Sequence, residues 1–352
     1  MPKLRSSAAW GWGLSALLLV VLVVFARQSG NEKSSRTLSV SGLTMGTSWQ
    51  VLVPEDPRLP EPTALAVRIQ ALLDRLDREL MSTYAKDSQL SQFNRNPPNQ
   101  AFPVAAELLD VIAVAQEVQR LSAGAFDITV GPLVDLWGFG PVPTSQLSRI
   151  PAPAELERAR AMLGSDKLLL SRESSSLLKQ QALRVDLSGI AKGYAVDQVA
   201  EYLDALALPA YLVEIGGELK MKGKKPGQGE WITAIEMPEH GMRQVFTTFR
   251  SKGQTLAVAG SGDYRNFFEQ DGRRYSHEID PRSGLPISHD LAAVTVVDNS
   301  ATRADAFATA LMVLGPEAGF ELANGLGLAA YFIMRHGKIL ESRYTDGFAA
   351  YL

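Results

Sequence analysis

From Leu168 onward the chain reads as short strands broken by only two helices, and this irregular order constrains its fold more than any other feature. The expected strands are Leu168–Ser171, Leu183–Leu187, Tyr211–Ile215, Trp231–Glu236, Thr255–Ala259, Tyr275–Ile279 and Ala293–Val297; the helices are Ala191–Leu206 and Ala301–Leu314. A doubly wound parallel sheet needs strand and helix to alternate regularly, which they do not here, so the pattern favours an α+β fold. Upstream, alternation over Ser48–Val53 reads as another strand, and Leu65, Ile69, Leu72, Leu73, Leu76 and Leu80 recur at the spacing of one long amphipathic helix. Val104–Leu121 predicts a further helix, while Pro97-Pro98 and Pro141–Pro153 read as loops.

The N-terminus carries a different signal. Lys3 and Arg5 precede an uncharged stretch, Ala8–Ala26, with an aliphatic core at Leu17–Phe25 and Arg27 at its end. Residues 1–27 read as an export signal or membrane anchor, residues 28–36 as a polar linker, and 37–352 as one catalytic domain. Val24-Phe25-Ala26 also fits a small-residue cleavage site, so retention and removal both stay open. The 352 residues include no cysteine, which excludes disulfides, thiolate nucleophiles and cysteine-bound metals and leaves oxygen atoms or the four histidines as metal ligands. The 35 basic and 38 acidic residues are mixed along the chain, with no basic run to track a phosphate backbone, so nucleic acid is not an expected partner.

Several segments offer chemistry. Ser300 stands where a cap is needed before the apolar helix Ala301–Leu314, which places Asp305 and Thr309 four residues apart on one face. A carboxylate and a hydroxyl so placed suit a hard cation. They equally suit an acid complementing the helix dipole and a threonine bonded back to its own helix. Asp186-Leu187-Ser188-Gly189-Ile190-Ala191-Lys192-Gly193 runs from a strand into a helix through small residues, where amides and Lys192 can face an anion such as a pyrophosphate. Gly260-Ser261-Gly262-Asp263 leaves a strand through two glycines, which permit close approach of a ligand to the backbone. His277 precedes a turn at Asp280-Pro281 and is a candidate general base, with Asp263 as a second. Gly124-Ala125-Phe126-Asp127 closes the Val104–Leu121 helix and supplies aromatic surface that a ring can use or a core can absorb.

In this order, together with Thr44-Met45-Gly46-Thr47, Thr83-Tyr84 and Glu214-Ile215-Gly216-Gly217-Glu218, these segments resemble the ApbE-like FAD:protein FMN transferase family across almost the whole of residues 37–352. The resemblance implies an α+β, T-fold-like arrangement of mixed sheets with flanking helices. It implies FAD held by Met45, Tyr84, Ala125, Phe126, Asp127, Asp186, Lys192 and Ile279, and Mg²⁺ bound by the Gly189 carbonyl, Asp305 and Thr309. Some relatives carry a second acid just before the threonine; Ala308 stands there here, which leaves room for one more water.

The implied reaction transfers FMN from FAD to a threonine of a partner flavoprotein, as in membrane redox complexes of the Nqr and Rnf type, and releases AMP. The implied location is the outer, periplasmic side of a bacterial cytoplasmic (inner) membrane. Two rivals remain: Mg²⁺-dependent hydrolysis of FAD to FMN and AMP, in which water replaces threonine, and flavin binding without turnover.

Overall fold

The computed structural model describes residues 36–140, 150–225, 229–239, 244–264, 267–270 and 273–352. The expected export segment, the linker up to residue 35 and residues 141–149 of the expected Pro141–Pro153 loop lie outside them. Among the described residues no helix is long and apolar enough to cross a membrane.

The centre is an eight-stranded antiparallel sheet whose strands lie side by side in the order in which they occur along the chain. They are β1 (Thr37–Thr44), β2 (Thr47–Pro54), β3 (Tyr211–Ile215), β4 (Glu218–Lys222), β5 (Leu256–Gly262), β6 (Leu291–Asp298), β7 (Ala329–His336) and β8 (Ile339–Tyr344). The antiparallel sheet agrees with a mixed fold that is not doubly wound. Long excursions leave this meander after β2, β4, β5 and β6.

Strand alternation assigns each residue to one of two cores. Val213, Ala257, Ala259, Val294, Val296 and Phe332 face a helical layer. That layer contains α1 (Pro62–Asp74), α2 (Ala106–Leu121), α3 (Ala191–Ala205), α4 (Ala301–Leu314) and α5 (Pro316–Gly325). Leu212, Leu219, Leu256, Val258 and Ile333 point the other way, onto Trp231, Phe249 and Phe348. Trp231 and Phe249 come from a hairpin that pairs Ile232–Glu236 with Val245–Arg250.

Several local expectations need correction. Leu183–Leu187 is extended but is not a strand, because a side chain takes the place of a neighbouring strand. The Asn94 amide donates to the Val185 carbonyl at 2.8 Å and its oxygen accepts the Val185 N–H at 2.8 Å, while the Asp186 N–H donates to the Ile128 carbonyl at 2.7 Å. The helix expected through Leu80 is α-helical only to Asp74 and continues in wider π turns over Arg75–Met81, which keeps Leu76 and Leu80 buried.

The expected strand Tyr275–Ile279 splits into Arg273–Ser276 and Ile279–Asp280, with His277 between them. Gly260-Ser261-Gly262 is the end of β5, paired with β6, rather than a loop beyond it. Pro153, expected in a loop, opens the helix Pro153–Arg160.

Candidate active site

The site forms where α3 meets α4. Ser300 caps α4 by accepting the Arg303 N–H at 3.3 Å, as its side chain and position foretell. Asp305, one turn in, is buried and its Oδ2 accepts the Gly193 N–H at 2.9 Å. The two helices are nearly in backbone contact: a Cβ on Gly193 would stand 2.3 Å from the Ala301 carbonyl oxygen and 2.7 Å from Asp305 Cβ. One turn further along α4, Thr309 lies against the Gly189 turn, where an added Cβ would stand 3.2 Å from Thr309 Oγ1 and 3.3 Å from Phe126 Cε2. The structure therefore brings Gly189, Asp305, Thr309 and Phe126 together from segments far apart in sequence.

Beside them lies a charge cluster in which Glu218 and Asp305 are buried and Lys192 is partly buried. Lys192 Nζ donates to Glu218 Oε1 from the start of β4. Burial opposes the Lys192 charge, but Glu218, Asp305 and Glu278 together hold its pKa above the ordinary lysine value. Burial pushes the Asp305 carboxyl up, against the pull of Lys192 and the Gly193 amide. Burial likewise raises Glu218, which reaches about 8 despite Lys192, with Asp305 adding to the rise. Burial thus disfavours the charged form of both acids, and a cation bound beside them would restore it.

The residues fit both expected ligands. Glu218 Oε2 and the Thr44 and Thr47 hydroxyls are buried without a hydrogen-bond partner among the described residues. Among the same residues no group of three or more His, Asp or Glu side chains assembles to hold a metal. A cation here would draw on Asp305 together with carbonyl, hydroxyl and ligand oxygens, the donor set that Mg²⁺ takes when it binds phosphates. Gly216, at φ +63°, gives the space: a Cβ there would stand 2.8 Å from the Thr47 methyl and 3.2 Å from Lys192 Cδ. Thr44-Met45-Gly46-Thr47 turns from β1 to β2 with Met45 at φ +47° and Gly46 at φ +72°, as a type I′ hairpin requires. The Met45 N–H is fixed on Asp77 Oδ2 at 3.2 Å.

Tyr84 is 60% exposed, an open aromatic face, and Asp186 lies near enough to help burial raise its pKa. Asp186 Oδ1 accepts the Ser188 N–H at 2.9 Å and shapes the turn into α3.

Other expected site residues have local duties. Asp127 Oδ1 accepts from the Thr129 N–H at 2.7 Å and from the Thr129 and Ser165 hydroxyls at 2.6 Å each, so it braces its loop. Ala125 is buried behind Phe126 in the same loop. Ile279 is buried in a satellite cluster with Leu133 and Trp137. Asp263 faces Arg335, with Oδ1 3.4 Å from Nη1, which leaves it less suited to act as a base.

His277 sits edge-on to Phe139, its Nε2 3.6 Å from Glu278 Oε1; that oxygen also accepts the Ser261 hydroxyl at 2.7 Å. Through Glu278, whose charge is felt at Lys192 and Asp305, His277 borders the charge cluster. Sequence reasoning did not single out Glu218, Glu278 or Asn94. Glu218 lies within the Glu214–Glu218 segment of the family resemblance, but its pairing with Lys192 leaves no trace in the sequence.

Residues 45–332 match the model of the ApbE family. The FAD:protein FMN transferase of Vibrio cholerae is 40% identical over 335 residues, 95% of this chain and 98% of that protein. The FAD:protein FMN transferase of Haemophilus influenzae is 40% identical over 323 residues, 90% of this chain and 92% of that protein. The crystal structure of the apo form of Pseudomonas stutzeri flavinyl transferase ApbE is similar at a TM-score of 0.80 and 41% identity, over 90% of this chain and 96% of that one. The flavin transferase ApbE from Vibrio cholerae is similar at a TM-score of 0.81 and 38% identity, over 90% and 99%. Matched by the family model over residues 45–332 and similar to these proteins over nearly its whole length, the chain belongs to the ApbE family.

Proposed function

We propose that this chain is a FAD:protein FMN transferase that moves the FMN moiety of FAD to a threonine hydroxyl of an acceptor protein and releases AMP. The observation that carries the reading is the Lys192–Glu218–Asp305 cluster beside the Gly189 turn, its two acids buried, an oxygen-rich, charge-bearing floor of the kind a pyrophosphate and a divalent cation need. The relatives bearing that activity in their names cover nearly the whole chain.

Mg²⁺ held by the Gly189 carbonyl, Asp305 and Thr309 would neutralise charge across the pyrophosphate. Lys192 adds a fixed positive charge, while the Ile190, Ala191 and Gly193 amides at the start of α3 are already bonded to Leu187 and Asp305. Met45, Tyr84 and Phe126 hold the rings, while Asp127 and Asp186 shape the loops around them. In the step itself a bond forms between the threonine oxygen and the FMN phosphorus as the bond from that phosphorus to the AMP oxygen breaks. His277 Nε2 takes the hydroxyl proton.

The acceptors proposed are subunits of Nqr- and Rnf-type membrane redox complexes. The place proposed is the periplasmic side of a bacterial inner membrane, on the strength of residues 1–27.

The test is to incubate the protein with FAD, Mg²⁺ and such a subunit and to weigh the acceptor intact. A gain of one FMN unit, absent in EDTA, is expected. Free FMN and AMP beside an unmodified acceptor would replace transfer with hydrolysis.

A further inference from the structure

We propose that Asp197 is a positioning residue that sets the geometry of the Mg²⁺ site by locking the start of α4 onto α3; the inference rests on the metal reading above. Asp197 lies one turn beyond Gly193 on α3 and receives five hydrogen bonds. Its Oδ1 accepts from Lys220 Nζ at 2.7 Å and from the Ala301 N–H at 3.1 Å. Its Oδ2 accepts from the Ser300 hydroxyl at 2.8 Å, the Thr302 N–H at 2.9 Å and the Thr302 hydroxyl at 2.7 Å. Burial alone would raise its pKa, but Lys220 and the Thr302 donors hold it below the ordinary carboxylate value.

The first amides of a helix have no partner within the helix and carry its positive end. Ser300 satisfies only the Arg303 amide among them, and a carboxylate from another helix takes those of Ala301 and Thr302. The consequence is positional. Asp305 lies one turn beyond Ala301, so fixing Ala301 and Thr302 fixes the height of Asp305 and Thr309 against the Gly189 turn. The bond from the Gly193 amide to Asp305 Oδ2 is a second bolt on the same joint, and Lys220 ties the joint to β4, the strand that carries Glu218. The ligands come from the turn that leads into α3 and from α4, about a hundred residues apart in sequence, and Asp197 sets their registry without touching the metal.

The test titrates Mg²⁺ into the full chain at fixed FAD, following flavin fluorescence, for wild type, D197N and T345V. Asparagine keeps the shape but presents an N–H donor to the amides. Thr345→Val removes a buried hydroxyl that ties the Leu328 and Ala330 backbone beyond β8, and so weakens the fold away from the site. For D197N the half-saturating Mg²⁺ concentration is expected to rise about ten- to one-hundredfold, the usual effect of losing a residue that orients metal ligands, with the same fluorescence plateau. T345V is expected to melt earlier and to titrate as wild type.

If D197N does not fold, Thr302→Val, which deletes one of the five bonds, is expected to shift the titration in the same direction by less. A D197N or T302V titration matching wild type would overturn the proposal, as would an equal shift in T345V. A wild type with no Mg²⁺ dependence would instead remove the metal reading, and this proposal with it.

Discussion

Glu218 shows what a single residue contributes. It opens β4 with its side chain wholly buried, one oxygen on Lys192 and the other without a partner among the described residues. Burial, with Asp305 adding to it, raises its pKa from 4.5 to about 8 against the pull of Lys192. Between those two values the folded chain keeps a proton that the unfolded chain has lost. Its stabilising contribution is therefore complete below about 4.5 and disappears as pH rises through about 8. Thermal melts of the ligand-free protein should show this as a loss of stability from pH 5 to pH 8 that is smaller in Glu218→Gln, and equal slopes in the two proteins would contradict it. Little of this was legible beforehand. Asp305, Thr309 and Lys192 stand out in sequence because helical spacing and a glycine turn frame them, whereas Glu218, Glu278 and Asn94 acquire meaning only from partners at least seventeen residues away.

Among the elements, the crossing of α3 and α4 matters most. Gly193 permits it, since any side chain there would run into the Ala301 carbonyl and Asp305 Cβ. Gly193→Ala should therefore cost about 1–3 kcal/mol in urea unfolding, the usual range for overpacking, and should lower Mg²⁺ affinity at the same time. Unchanged unfolding would show that the helices can part without consequence. Both helices were read correctly from periodicity and capping, with ends within a residue of those observed. Leu183–Leu187 was misread because an extended apolar run looks the same whether a strand or the Asn94 side chain satisfies its backbone. The wider turns at Arg75–Met81 escaped for a related reason: buried leucines keep nearly the same periodicity through a π segment.

The whole molecule is a meander whose excursions carry the chemistry. The sheet brings the β1–β2 turn with Met45, the β3–β4 turn with Gly216 and Glu218, and the β5 terminus with Ser261 to one region, and α3 and α4 complete it. Half of the sheet's strands, β1, β4, β7 and β8, were not read from the sequence. β7 shows no alternation because both of its faces are covered, with its first six residues buried, whereas the edge strands β1 and β8 are mostly unburied. The order of the motifs nevertheless pointed to the family before any strand was paired, since a site assembled from many segments leaves a trace in each. The proposed function places transfer where α4 meets the Gly189 turn. The most direct measurement is the rate of FMN transfer by Asp305→Ala in Mg²⁺, followed by intact mass of the acceptor, with circular dichroism to confirm the fold. A folded protein that leaves the acceptor unmodified is expected; transfer at the wild-type rate would place the chemistry elsewhere.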